Sequence, residues 1–197
     1  DANIRNFALA ISGSGGGNSA GGSLAVNVFL ADKKAIIGSA ASGNDISLNA
    51  ANNVNVGVNA RQEITNGIIS AAVSTSNNAI SGALSANVIK GDSYALVQKG
   101  ADINQDSSVS STTQSVAVTA EDNTTLTDLT GTLAASSSTS VGVALAGNVM
   151  WKDVRASMNS RVTADDNVLI TADTRQDLTA TTVGIAASTG GFSGAGS

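Results

Sequence analysis

Apolar and polar residues alternate singly over short stretches of this chain, and the alternation comes back at a fixed interval. From Leu24 to Leu30 it sets Leu24, Val26, Val28 and Leu30 on one face of a strand. The phrase returns as Leu84-Ser85-Ala86-Asn87-Val88 and as Leu145-Ala146-Gly147-Asn148-Val149. The Leu, Asn and Val that begin as Leu24, Asn27 and Val28 thus recur 60 and then 61 residues on. Downstream, Asp32, Asp92 and Asp153 coincide, as do Ala35, Ala95 and Ala156, and then Ile37, Val97 and Met158. A second anchor, Arg61-Gln62-Glu63-Ile64-Thr65, matches Arg175-Gln176-Asp177-Leu178-Thr179, with Asn123-Thr124-Thr125-Leu126-Thr127 between them. Val58-Asn59-Ala60, Val118-Thr119-Ala120 and Ile170-Thr171-Ala172 precede these in turn. No stretch carries a capped apolar stripe of helical period, so no helix is expected.

Burial of the apolar set predicts that Leu24, Val26 and Val28 face a core, with Leu84, Ala86, Val88 and Leu145, Gly147, Val149 equivalent to them. On that reading Val88→Asp is severe, whereas Ser110→Asp in a loop changes little. Phe29, Ile89 and Met150 then point the other way. They either pack under a neighbouring loop or form an exposed strip that could contact a ligand. The aligned Asp residues sit at an expected turn between short strands, and Gly and Ser tracts such as Ser12 to Gly22 and Ser188 to Ser197 mark further turns.

Strands at a fixed period admit a solenoid, a propeller or a string of sandwiches. Propeller blades are shorter, at about 40–50 residues with aromatic signatures, and sandwiches need about 100 residues and a bulky core. The expected fold is therefore all-β, a parallel β-helix (β-solenoid) built from repeats of 52 to 61 residues. It forms a single segment over 1–197, with repeats near 1–60, 61–122, 123–174 and 175–197, the first and last partial. Dividing each repeat into three coils of about 20 residues puts Asn27, Asn87 and Asn148 three coils apart. They would then lie roughly 14 Å from one another along the axis, too far for a continuous amide ladder. Another anchor falls due about three residues past Ser197 by the same spacing. The repeat is thus expected to continue in a longer chain, and uncapped ends invite end-to-end stacking.

Composition narrows the function. The five aromatic residues are Phe7, Phe29, Tyr94, Trp151 and Phe192, and much of the 42% hydrophobic content is Ala and Val. Small side chains fill a narrow cross-section. With no Pro, strands can be paired on both sides. The absence of His and Cys removes the usual triad and thiol chemistry. A net charge of −5 with scattered Lys and Arg gives nucleic acid no basic stripe. No apolar run is long enough to span a bilayer as a helix. The acid pairs Glu121-Asp122 and Asp165-Asp166 read as solvated turn acids rather than a glycosidase pair. The Gly15-Gly16-Gly17-Asn18 turn lacks the Asp of a calcium-binding nonapeptide. No catalytic residue, metal ligand or cofactor site is expected.

The phrases Val183-Gly184-Ile185-Ala186-Ala187-Ser188-Thr189-Gly190-Gly191 and Val141-Gly142-Val143-Ala144-Leu145-Ala146-Gly147-Asn148 resemble the repeats of very large secreted bacterial exoproteins. These are the passengers of filamentous-haemagglutinin-like, leukotoxin-like and autotransporter adhesins. The resemblance implies a right-handed parallel β-helix, export across the outer membrane, a place outside the cell or on its surface, and contact with host or bacterial surfaces. Three functions follow as expectations. The first is a non-catalytic stalk whose partners are further copies of the repeat. The second is a binding module that meets a host or bacterial surface receptor through Phe29, Ile89 and Met150 or the Gly-rich loops. The third is a carbohydrate-active β-helix enzyme.

Overall fold

A computed structural model describes residues 1–39, 46–109 and 113–197. Twelve strands run in chain order through them: β1 (Ala2–Ser14), β2 (Ser19–Leu30), β3 (Lys33–Ile37), β4 (Ile46–Leu48), β5 (Val54–Ser74), β6 (Ala79–Val97), β7 (Ala101–Ile103), β8 (Val116–Ser136), β9 (Ser140–Met158), β10 (Arg161–Val162), β11 (Val168–Ser188) and β12 (Ser193–Gly196). One turn of 3-10 helix covers Ser107–Val109. The strands form three sheets, with every pair parallel. Sheet A is β1-β5-β8-β11, sheet B is β12-β9-β6-β2 with β3 also on β6, and sheet C is β10-β7-β4. The chain visits A, B and C in the same order each time, so one period of the sequence makes one circuit.

The anchors therefore pair directly. Leu24, Leu84 and Leu145 are neighbours across sheet B, as are Asn27, Asn87 and Asn148 and then Val28, Val88 and Val149. The division into three short coils is incorrect. The strands are instead long, 21 residues in β5, β8 and β11 and 19 in β6 and β9. Nothing stops them early, because the chain lacks Pro. The expected turn at Asp92 and Asp153 is mid-strand, with both acids on the outer face of sheet B. The equivalent Ala31-Asp32 does break the strand in the first circuit, and there the Ala31 carbonyl leans so close that a side chain at Gly91 would collide with it.

Sheet A turns into sheet B at a column of four serines, Ser14, Ser74, Ser136 and Ser188, paired in register. The Ser14 hydroxyl accepts from the Gly17 amide at 2.9 Å and that of Ser74 from the Asn77 amide at 3.1 Å, a side-chain substitute for a ladder bond that ends the strand. The second anchor also pairs in register, Arg61 on Asn123 on Arg175. Just before it, Val118 meets Val56 rather than Val58. This slip of two residues keeps every side chain on its own face.

The interior is layered along the strands. Where the three sheets meet, Val54, Val56, Val97, Ile103, Val116 and Val118 make an apolar core. Beyond it only A and B face each other, and apolar clusters alternate with polar ones. Ile64, Ile89 and Leu126 form one cluster, Ala25, Ile68 and Ala83 the next, and Ala72, Ala79 and Ala134 the last before the serine turn. The shrinking side chains bring the sheets together. At Gly21 a Cβ would stand 2.5 Å from the Ala71 carbonyl, which only glycine permits.

The inward face is the opposite of the one expected. Val88 is 40% exposed and Ile89 1%. Phe29 and Met150 pack with Ile89 on Ile64 and Leu126, between the two sheets and not under a loop, so these three do not form an exposed strip. The alternation was real, but the inner set is Ala or Ser, then Asn, then one bulky residue, and the Leu and Val point to solvent. Ser110 lies outside the described residues. Ile89→Asp is accordingly expected to cost about 3 kcal/mol or more in denaturant unfolding. Val88→Asp should stay within about 1 kcal/mol of the parent.

Candidate functional site

Two polar layers cross the interior between sheets A and B. In the first, Asn6 Nδ2 donates to Asn27 Oδ1, Asn27 Nδ2 to Asn87 Oδ1 and Asn87 Nδ2 to Asn148 Oδ1, each at 2.7 Å. The first of these bonds crosses from sheet A; the other two make, within sheet B, the continuous amide ladder that the three-coil division excluded. It forms because a parallel in-register sheet stacks identical side chains one strand spacing apart. Opposite it on β8, the Asp128 carboxylate is 1% exposed. It accepts from Asn66 Nδ2 at 3.1 Å, from Asn87 Nδ2 at 3.1 Å and from Ser85 Oγ at 2.9 Å.

The second layer lies nearer the apolar core. Lys152 on β9 reaches Asp122 on β8 at 3.6 Å, with both side chains fully buried. Asp122 also accepts from Ser93 Oγ at 2.8 Å and Thr124 Oγ1 at 2.9 Å, and the Lys152 ammonium donates to the Gln62 side-chain oxygen. Burial pulls the Lys152 ammonium below its ordinary value, and the Asp122 charge opposes that shift. Glu121 and Asp122 are thus not turn acids. They are adjacent residues in mid-strand, Glu121 outside accepting from Asn59 at 3.1 Å and Asp122 inside. Asp165 and Asp166 do lie in a turn, between β10 and β11.

Sequence reasoning took Asp122 for a solvated turn acid and missed Asp128 and Lys152. The parity of β8 could have found the two acids, since they share a face with Leu126, the partner of the anchor residue Ile64. Both carboxylates are saturated by protein donors and sealed from solvent, a geometry that ties sheet to sheet and offers nothing to a substrate.

The solvent side of sheet B carries the other half of the anchor. Leu24 is 63% exposed and Leu145 55%, and the Leu row and the Val row continue across β2, β6 and β9. Past these rows the face turns polar. Trp151 lies under the Lys90 ammonium, 5.9 Å from the ring centre, and Tyr94 donates to Asp153 at 2.5 Å and is covered by Lys34. That hydrogen bond pushes the Tyr94 phenol up to about 12. Comparison with protein families, curated proteins and solved structures returned no match.

Asn87→Ala would leave the buried Asp128 short of a donor and break the ladder at its middle, so a loss of about 2–3 kcal/mol is expected in urea melts. The ion pair gives a pH signature. Folded Lys152 releases its proton below 10.5, so the unfolded chain holds more protons just below that pH, and stability should rise with pH there. Tyr94 acts oppositely at higher pH, its raised value making stability fall as pH climbs from 10 towards about 12. Measured in a Tyr94→Phe background, the alkaline rise should be present with Lys152 and absent in Lys152→Met.

Proposed function

We propose that the chain is a segment of right-handed parallel β-helix that serves as a non-catalytic stalk in a secreted or surface-displayed bacterial adhesin, outside the cell. The observation that carries this reading is the in-register pairing of one circuit on the next, repeated through the amide ladder and the serine column. Such a stack lengthens by one strand spacing for each repeat without altering its cross-section, which is the property a spacer needs. Its partners are further copies of the repeat, for which β11 offers an inner face open along its edge. Ile170 and Leu178 are about half exposed there, while their β8 equivalents Val118 and Leu126 are fully buried. The assignment to an adhesin rests on the resemblance of the repeat phrases. It calls for no cofactor, metal or catalytic residue.

A second reading, a binding module for a host or bacterial surface receptor, is favoured by the exposed Leu and Val rows of sheet B. It no longer involves Phe29, Ile89 and Met150, which are inside.

Duplicating residues 88–148, one full period, tests the stalk. The longer chain should keep its strand content and cross-section in small-angle X-ray scattering and gain about 4.8 Å in length. A thicker particle, or one that fails to fold, would count against it. Saturable binding of the immobilised chain to host or bacterial cells would favour the binding module instead.

A further inference from the structure

The second polar layer holds more positive charge than negative, and the repeat shows why. Ser93 on β6 donates to the Asp122 carboxylate on β8 at 2.8 Å. One circuit earlier, Lys33 pairs in register with Ser93 and Ala60 with Asp122. Lys33 therefore faces an alanine where the next circuit faces an aspartate. Asp122 already serves Lys152. Asp32, beside Lys33 in the chain, points outward and accepts from the Asp92 amide at 3.1 Å.

The Lys33 ammonium is sealed from solvent and has no hydrogen-bond partner among the described residues. Gln62 is 1% exposed, and its side-chain oxygen accepts from the Lys152 ammonium and from Thr124 at 3.3 Å. Its Nε2 is buried too, and likewise without a partner among them. The two lysines are close: burial lowers the Lys152 ammonium most, and the Lys33 charge lowers it further. Lys33, Lys152 and Gln62 thus bring together more N–H donors than Asp122 can serve, because Ser93 and Thr124 also use its lone pairs. Stranding such donors is costly, so the layer calls for one more acceptor that carries a negative charge. The in-register neighbours are small, Ala2 on Gln62 and Ala60 on Asp122, and suit an ion of a single atom.

We propose that this layer is a binding site for a small monovalent anion of halide size, held between the Lys33 ammonium and the Gln62 amide nitrogen. The ion does for Lys33 what Asp122 does for Lys152, and it ties β3 of the first circuit to β5 of the second. The site depends on these buried groups alone and stands whether or not the segment serves as a stalk.

Thermal melts of the full chain at constant ionic strength, with chloride exchanged for gluconate, test the site, and the chloride NMR linewidth reads the bound ion directly. A ligand held by the folded state alone raises its stability, so the parent should melt about 2–4 °C higher in chloride and broaden the chloride line. Lys33→Met removes the cation and Gln62→Glu sets a carboxylate among the donors. Each should abolish both effects while the circular dichroism stays that of the parent. Lys99→Met, in the exposed turn between β6 and β7, should keep both. A parent that melts alike in the two salts would overturn the proposal, for water would then serve these donors. So would effects that survive in either Lys33→Met or Gln62→Glu, the sign of ions gathered at the surface.

Discussion

Everything in this fold depends on one requirement, that polar side chains turned into a narrow interior must find partners there. An isolated buried amide or carboxylate is costly, and these sheets stand too close for water to serve each group. Parallel pairing in register meets most of the requirement, leaving buried atoms such as Gln62 Nε2, Thr130 Oγ1 and Thr132 Oγ1 without a hydrogen-bond partner among the described residues. It sets each Asn one strand spacing from the next copy of itself and lets β8 bring Asp128 against the amides and Asp122 against Lys152. A shift of one residue would turn all of these outward and bring the Leu and Val rows inside. The polar layers therefore select the register, while the apolar junction of the three sheets holds the largest apolar cluster. The Lys152–Asp122 pair belongs with the selectors. Desolvation consumes much of a buried pair's attraction, so its effect lies in what misalignment would cost.

The same requirement explains the apolar exterior. A strand has two faces, and when Asn, Ser, Thr and Asp occupy the inner one, the remaining Leu and Val have only the outer one left. Towards the narrow end of the cross-section polar layers thus alternate with clusters of small apolar residues inside, while bulkier Leu and Val stand outside, unlike an ordinary globular core. Sheet A behaves similarly, with Thr130 and Thr132 inside and Leu129 and Leu133 outside.

Register was legible in the amino-acid sequence and facing was not, for a physical reason. Identical residues at equal spacing report which positions are neighbours. The Leu-x-x-Asn-Val anchors and the Arg61, Asn123 and Arg175 column duly pair as aligned. Alternation is symmetric between faces, and the usual rule that apolar residues go inside chose the wrong one. The recurring Asn held the contrary signal, because an amide repeated in register is most valuable where only another amide can satisfy it. The number of circuits was misjudged for a related reason. A period of this size divides equally well into three short coils or one long one, and the length of a strand becomes evident only from the serine column that ends it. Lys152 escaped notice, and Asp122 was read as a turn acid, because their partnership joins two different sheets.

The amide ladder has a direction. From Asn27 to Asn148 every amide hands its hydrogen the same way, and the aligned dipoles polarise one another along the row. A stack of circuits is consequently vectorial, like a row of magnets laid head to tail. At the β2 edge the Asn27 carbonyl oxygen is already met by Asn6 from sheet A, whereas towards β12 Asn148 is left with its amide hydrogens, so the two ends are chemically unlike. A further circuit laid beyond Asn148 in the same sense would extend the row by meeting those hydrogens with a carbonyl oxygen.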